Sequence, residues 1–177
     1  MLIEPLAHDD VPESLRRYGS IATSTNMVIH GLGRCPEVLA AWLELYDRLI
    51  RRDGALRAED KELIRRQIAS LYECGLCQSF VNTTAADQGF DDDKAACVLE
   101  PDERYSERER AMLAFTRKVF TGPDSVDATA FADVRRHFGE AEITEMGFVA
   151  AMLTGWGRLT FGFDVVNDAE SHLYEIA

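Results

Sequence analysis

Hydrophobic positions along the chain recur three and four residues apart, and the alternating patterns that mark strands are nearly absent. The pattern predicts an all-α chain. Pro36 suits the first position of the clearest helix, in which Val38, Leu39, Trp42, Leu45, Tyr46, Leu49 and Ile50 follow at helical spacing until Gly54. A stripe that wide must face a core or a partner. A second helix is expected from about Ala58, with Leu63, Ile64, Ile68 and Leu71 on its apolar side and Arg65 and Arg66 on the other. Helical spacing continues from Gly75 to Ala86 through Phe80, Val81 and Thr84, and Gly89 suits a left-handed C-cap. Asp91 is expected to cap a short helix reaching Leu99. Ser106 and Glu109 stand at capping-box spacing ahead of Met112, Leu113, Thr116, Val119 and Phe120, and Gly122-Pro123 closes that helix. Phe131, Val134 and Phe138 mark another, ending at Gly139, and Ile143, Met146, Ala150, Leu153 and Thr154 begin a long apolar one. Gly147, Gly155, Gly157 and Gly162 fall within this last stretch and predict close packing, a break near Gly155-Trp156-Gly157, or a subunit contact. The polar residues at the end read as a tail or short helix.

No linker, low-complexity run or internal repeat divides the 177 residues, and 46% of them are hydrophobic, so one domain over 1–177 with its own core is expected. Acidic residues outnumber basic ones 31 to 19 for a net charge of −12, a balance that repels nucleic acid and anionic lipid. The opening MLIEPLAHDD lacks the basic and apolar regions of a leader, and no run of 18 apolar residues occurs, so a soluble cytoplasmic protein with no membrane partner is expected. Glycine spacing matches no phosphate-binding loop, and no haem, flavin or nucleotide motif is present, so no cofactor is expected.

Four cysteines in a reducing compartment seldom form a structural framework, which draws attention to the pair in Cys74-Gly75-Leu76-Cys77. If one helix ends and another begins there, amides of the new helix favour a thiolate, and the spacing brings two sulfurs within reach of a reversible disulfide. Two small buried thiols filling a helix crossing is the plainer reading. Zinc would need two further ligands, and Cys35, Cys97, His8, His30, His137 and His172 form no second pair, so no metal is expected. Glu62 lies twelve residues before Cys74, about 18 Å away along a straight helix, too far for proton transfer. A turn near Leu71 to Glu73 would fold it back toward the thiols. Otherwise it is an ordinary solvated or salt-bridged glutamate.

Glu62, eleven residues, Cys74-x-x-Cys77 and then AADQGF resemble the core motif of the carboxymuconolactone decarboxylase and alkyl hydroperoxidase D (AhpD-like) superfamily. The resemblance extends to PEVLAAWLELYDRLIRRDGALRAEDKELI upstream and to YSERERAMLAFTRKVF and FGEAEITEMGFVAAML downstream, covering about residues 25–165. It implies an all-helical AhpD-like domain that assembles as a homo-oligomer. It implies also that Cys77 attacks peroxide, Cys74 resolves the product as a disulfide, Glu62 serves a proton relay, and an outside thiol reductant restores the pair. Two positions depart from the pattern: the family's histidine four residues after the second cysteine is Val81, and the position before that cysteine, histidine in some members, is Leu76. Neither moves a proton, and His30 and His137 are the substitutes if folding or a neighbouring subunit brings them near. The resemblance leaves three readings: a thiol-dependent peroxidase or disulfide oxidoreductase, a decarboxylase-type lyase or isomerase acting on a small cyclic acid, and a non-catalytic helical oligomer.

Overall fold

The computed structural model describes residues 1–19 and 23–166; the tail expected at the end of the chain, with His172, lies outside them. Every regular element among the described residues is helical, in the order α1 (Glu13–Arg16), α2 (Thr23–Leu32), α3 (Pro36–Ile50), α4 (Ala58–Leu71), α5 (Gly75–Gln78), α6 (Thr83–Asp87), α7 (Asp92–Ala95), α8 (Glu107–Thr121), α9 (Ala128–Val134) and α10 (Glu140–Gly162). The chain divides into two compact units: one holds residues 1–47 with the chain from Trp156 onward, the other Arg48–Gly155. Helices α3 and α10 contribute residues to both.

In the first unit, Val11, Leu15, Val28, Ile29, Leu39 and Val165 form the buried core, with Leu6, Leu43 and Trp156 packed against it. Trp42 stacks on Trp156 with ring centroids 3.5 Å apart. His30 is buried and its Nδ1 donates to the Leu6 carbonyl at 2.7 Å. The apolar stripe of α3 is only partly used within the chain. Leu39 and Ile50 are buried, whereas Val38 is 71% exposed and Leu45 49% exposed.

The second unit is built around α4, which packs against α5, α6, α7 and α8. Contact on so many sides removes the solvent face that its arginines predict. Leu63, Ile64 and Ile68 are buried as expected, but so are Asp60, Lys61, Glu62, Arg65 and Gln67. Burial of charge is tolerated where each charge meets its opposite with good hydrogen bonds. Asp60 takes both terminal nitrogens of Arg108, at 2.8 and 3.0 Å, and Arg108 also reaches Glu142. Lys61, fully buried, donates to Glu145 at 2.7 Å and to the Arg52 carbonyl at 2.8 Å. The second Glu145 oxygen accepts the Leu56 amide at 2.7 Å. Gly54 makes room for that carboxylate, since a Cβ there would collide with Glu145 Oε1. Helix α3 has already ended at Ile50, so Gly54 is not its stop signal.

Local signals set most helix ends. Ser106 and Glu109 form the reciprocal capping box of α8, and Asp91 caps α7 through the Lys94 amide. Helix α7 is shorter than expected, with turns continuing to Leu99. Gly89 holds φ +90° after α6. Of the alternatives for the glycines of α10 the break is not taken, since α10 runs unbroken through Gly155-Trp156-Gly157, and the helix expected from Gly75 to Ala86 is two short ones, α5 and α6. The carbonyls of Cys77 and Phe80, which a continuous helix would turn toward amides four residues on, accept instead from Arg65. Asn82 then starts α6 by accepting the Thr84 amide at 3.1 Å.

Candidate active site

Helix α4 ends where a turn would fold Glu62 back toward the cysteines. Tyr72 is its C-cap, the Glu73 amide bonds the Ser70 carbonyl at 3.0 Å and the Cys74 amide bonds the Ala69 carbonyl at 2.9 Å, the paired bonds of a Schellman ending. Its left-handed residue is Glu73, at φ 54°, where glycine is usual. The turn reverses the chain and lays α5 against α4, the hairpin on which any relation between Glu62 and the cysteines depends. Cys74 is the N-cap of α5, and its sulfur accepts the Cys77 amide at 3.1 Å.

Cys74 and Cys77 are joined as a disulfide, while Cys35 and Cys97 are free. Cys74 is 3% exposed, Cys77 is half-buried, and Leu76 and Val81 beside them are half-buried too. Glu62 lies on α4 with no exposed surface, and its carboxylate meets Arg65. The guanidinium grips both oxygens, Nε to Oε2 at 2.9 Å and Nη2 to Oε1 at 2.6 Å. Its remaining reach goes to α5 and the loop after it, where Nη1 donates to the Cys77 carbonyl and Nη2 to the Phe80 carbonyl at 2.8 Å. The Phe80 ring lies against its face, 4.4 Å from Cζ. Glu62 is therefore tied to the cysteine pair through Arg65, and Arg65, expected on the polar side of α4, is 4% exposed.

The sequence held one signal for this: an acid and an arginine three residues apart on a helix share a face, and Glu62 and Arg65 have that spacing. Arg66, next along, stands 3.8 Å from Glu62 and pairs with Asp92. Burial, then the like charge of Arg65, lowers the Arg66 guanidinium below its usual value, against the opposing pull of Asp92 and Glu62. His30 sits in the first unit on the Leu6 carbonyl, and His137 is half-buried in the turn after α9. No cluster of three or more His, Cys, Asp or Glu suited to a metal occurs among the described residues. No helix there is long and apolar enough to cross a membrane.

Solved structures share this fold. The apo debrominase Bmp8 matches with a TM-score of 0.75 and 21% identity, over 100% of this chain and 98% of that one. An alkylhydroperoxidase AhpD core, an uncharacterized peroxidase-related protein from Ralstonia eutropha JMP134, matches at 0.73 and 20% identity, over 97% and 94%. An uncharacterized peroxidase-related protein from Silicibacter sp. TM1040 matches at 0.72 and 19% identity, over 96% and 92%. At these identities the likeness is one of fold, and that fold is AhpD-like. No curated protein matches the chain. Residues 36–118, which contain Glu62 and both cysteines of the pair, match the Carboxymuconolactone decarboxylase family.

Proposed function

We propose that the chain is a thiol-dependent peroxidase or related disulfide oxidoreductase, a soluble homo-oligomer with Cys77 as attacking thiol and Cys74 as resolving thiol. The observation that carries this reading is the Cys74–Cys77 disulfide itself, with the second cysteine the more accessible of the two. In the reduced protein the Cys77 thiolate attacks one oxygen of a hydroperoxide. An S–O bond forms, the O–O bond breaks, and the departing oxygen leaves as alcohol or water once it has taken a proton. The Cys74 thiol then attacks the sulfenic sulfur, the S–S bond forms, and water leaves. An external dithiol returns both sulfurs to thiols by two exchange steps and is itself oxidised to a disulfide.

The leaving oxygen needs a proton donor, and Val81 stands where the superfamily pattern has histidine. Glu62 has the position of the relay acid. That both its oxygens accept from Arg65 supports a role as charge partner over one as direct donor. Turnover is accordingly expected to be present but weak, general acid help being worth about 10²- to 10⁴-fold.

The test is a steady-state assay with hydrogen peroxide and an organic hydroperoxide against several dithiol reductants. Slow turnover, lost in Cys77→Ser and raised about tenfold or more in Val81→His, is the expected result. Turnover that survives Cys77→Ser, or none with any pairing, removes this reading and leaves the lyase and the non-catalytic scaffold.

A further inference from the structure

We infer that Arg65 is a positioning residue of the dithiol site, the group through which Glu62 acts on Cys77; the inference rests on the thiol chemistry proposed above. The guanidinium is planar and presents its donors along separate edges. One edge takes both carboxylate oxygens of Glu62, at 2.6 and 2.9 Å. Nη1 takes the carbonyl of Cys77 itself, and the second proton of Nη2 takes the carbonyl of Phe80. The arginine thus binds the residue that carries the outer sulfur and the point where α5 gives way to the loop. With both side chains buried, the pairing of Glu62 and Arg65 is shielded from water and salt.

This arrangement has an electrostatic sign. Arg65 holds the carboxylate through Nε and Nη2 and meets the Cys77 carbonyl through Nη1, so of the two charges in this pair the one nearer Cys77 is positive, and the nearer charge dominates. A positive neighbour favours the thiolate over the thiol and the reduced pair over the disulfide. Three more charged groups on these elements are Arg66, Asp92, which pairs with it beside Glu62, and exposed Glu73 in the turn before Cys74. All three stay in place in the variants below.

The reduced protein is alkylated with iodoacetamide over a range of pH, and the Cys77 peptide is followed by mass spectrometry. In parallel the pair is equilibrated with glutathione buffers, and circular dichroism reports folding. In the double variant Glu62→Gln, Arg65→Gln the two amides can bond each other. Its Cys77 midpoint is expected to rise by about half a pH unit or more, with the glutathione equilibrium moving toward disulfide. Glu62→Gln alone leaves the arginine uncompensated and is expected to lower the midpoint. Arg65→Lys, which keeps the charge, is expected to hold it near wild type. An unchanged or lowered midpoint in the folded double variant makes Arg65 a structural tie only and overturns the inference. If the double variant does not fold, Glu62→Gln decides: a midpoint that stays or rises overturns it. Neither readout uses peroxide. Shifted midpoints without peroxide turnover would remove the peroxidase reading and leave Arg65 standing, and Cys77-dependent turnover with unmoved midpoints would do the reverse.

Discussion

Glu73 occupies a left-handed conformation, φ 54°, that an L side chain enters at a cost of about 1–2 kcal/mol. Two backbone hydrogen bonds of the Schellman ending, with the α4–α5 hairpin built on them, hold it there. Glu73 is exposed and serves the turn through its backbone amide, which glycine keeps, so Glu73→Gly is expected to relieve the strain, partly offset by glycine's greater freedom in the unfolded chain. The expected outcome is a melting temperature higher by about 1–4 °C, read by thermal denaturation of the reduced protein; an unchanged or lower value would show that the turn carries no strain. Of the candidate site residues, the cysteines stand out in the sequence because their spacing permits a disulfide, which the fold contains. Glu62 stood out only if the chain turned near Leu71 to Glu73, and its proposed role came from the family resemblance. Arg65 was missed because a charged residue beside the apolar stripe of a helix is ordinarily solvated, and nothing local reveals that α5 will cover it.

At the scale of elements, the helices that begin or end on their own capping residues were readable: Pro36 for α3, Asp91 for α7, Ser106 for α8 and Gly89 after α6. What the sequence hid depends on residues far apart in the chain, such as Asp60 with Arg108 and Lys61 with Glu145. The cap of α8 also carries a pH dependence. Burial pushes Glu109 up, but the hydrogen bonds from Lys94 and from the amide and hydroxyl of Ser106, with the Lys94 charge, outweigh it and hold the carboxyl below its ordinary 4.5. A folded-state value below the unfolded one stabilises above the unfolded value and is lost as pH falls through the folded one. Glu109→Gln, which can still cap but carries no charge for Lys94, is expected to cost about 1 kcal/mol near neutral pH. The gap in melting temperature between it and wild type should hold from pH 7 to about 5 and close below about 4.5. A gap independent of pH would mean the Lys94 pairing contributes nothing.

At the scale of the whole molecule, Val38 and Leu45 leave apolar surface on α3, and Phe148 on α10 is 65% exposed. Exposed apolar side chains of this size are what a homo-oligomer would cover. Light scattering at micromolar protein is expected to return a multiple of the 19.8 kDa chain mass, and Leu45→Glu to lower it. A 20 kDa species for wild type, about the mass of one chain, would dismiss the assembly. The buried charges of α4 reach further than pairwise attraction. Their signs run minus, plus, minus at Asp60, Lys61 and Glu62, each with its own partner, Arg108, Glu145 or Arg65. Rotating the helix by one residue would bring Lys61 toward Arg108 and Glu62 toward Glu145, like against like. A helix seated by leucines alone could slip or turn among near-equivalent packings, whereas α4 works as a keyed shaft with one angular setting, and that setting fixes where the turn at Glu73 sends the two sulfurs.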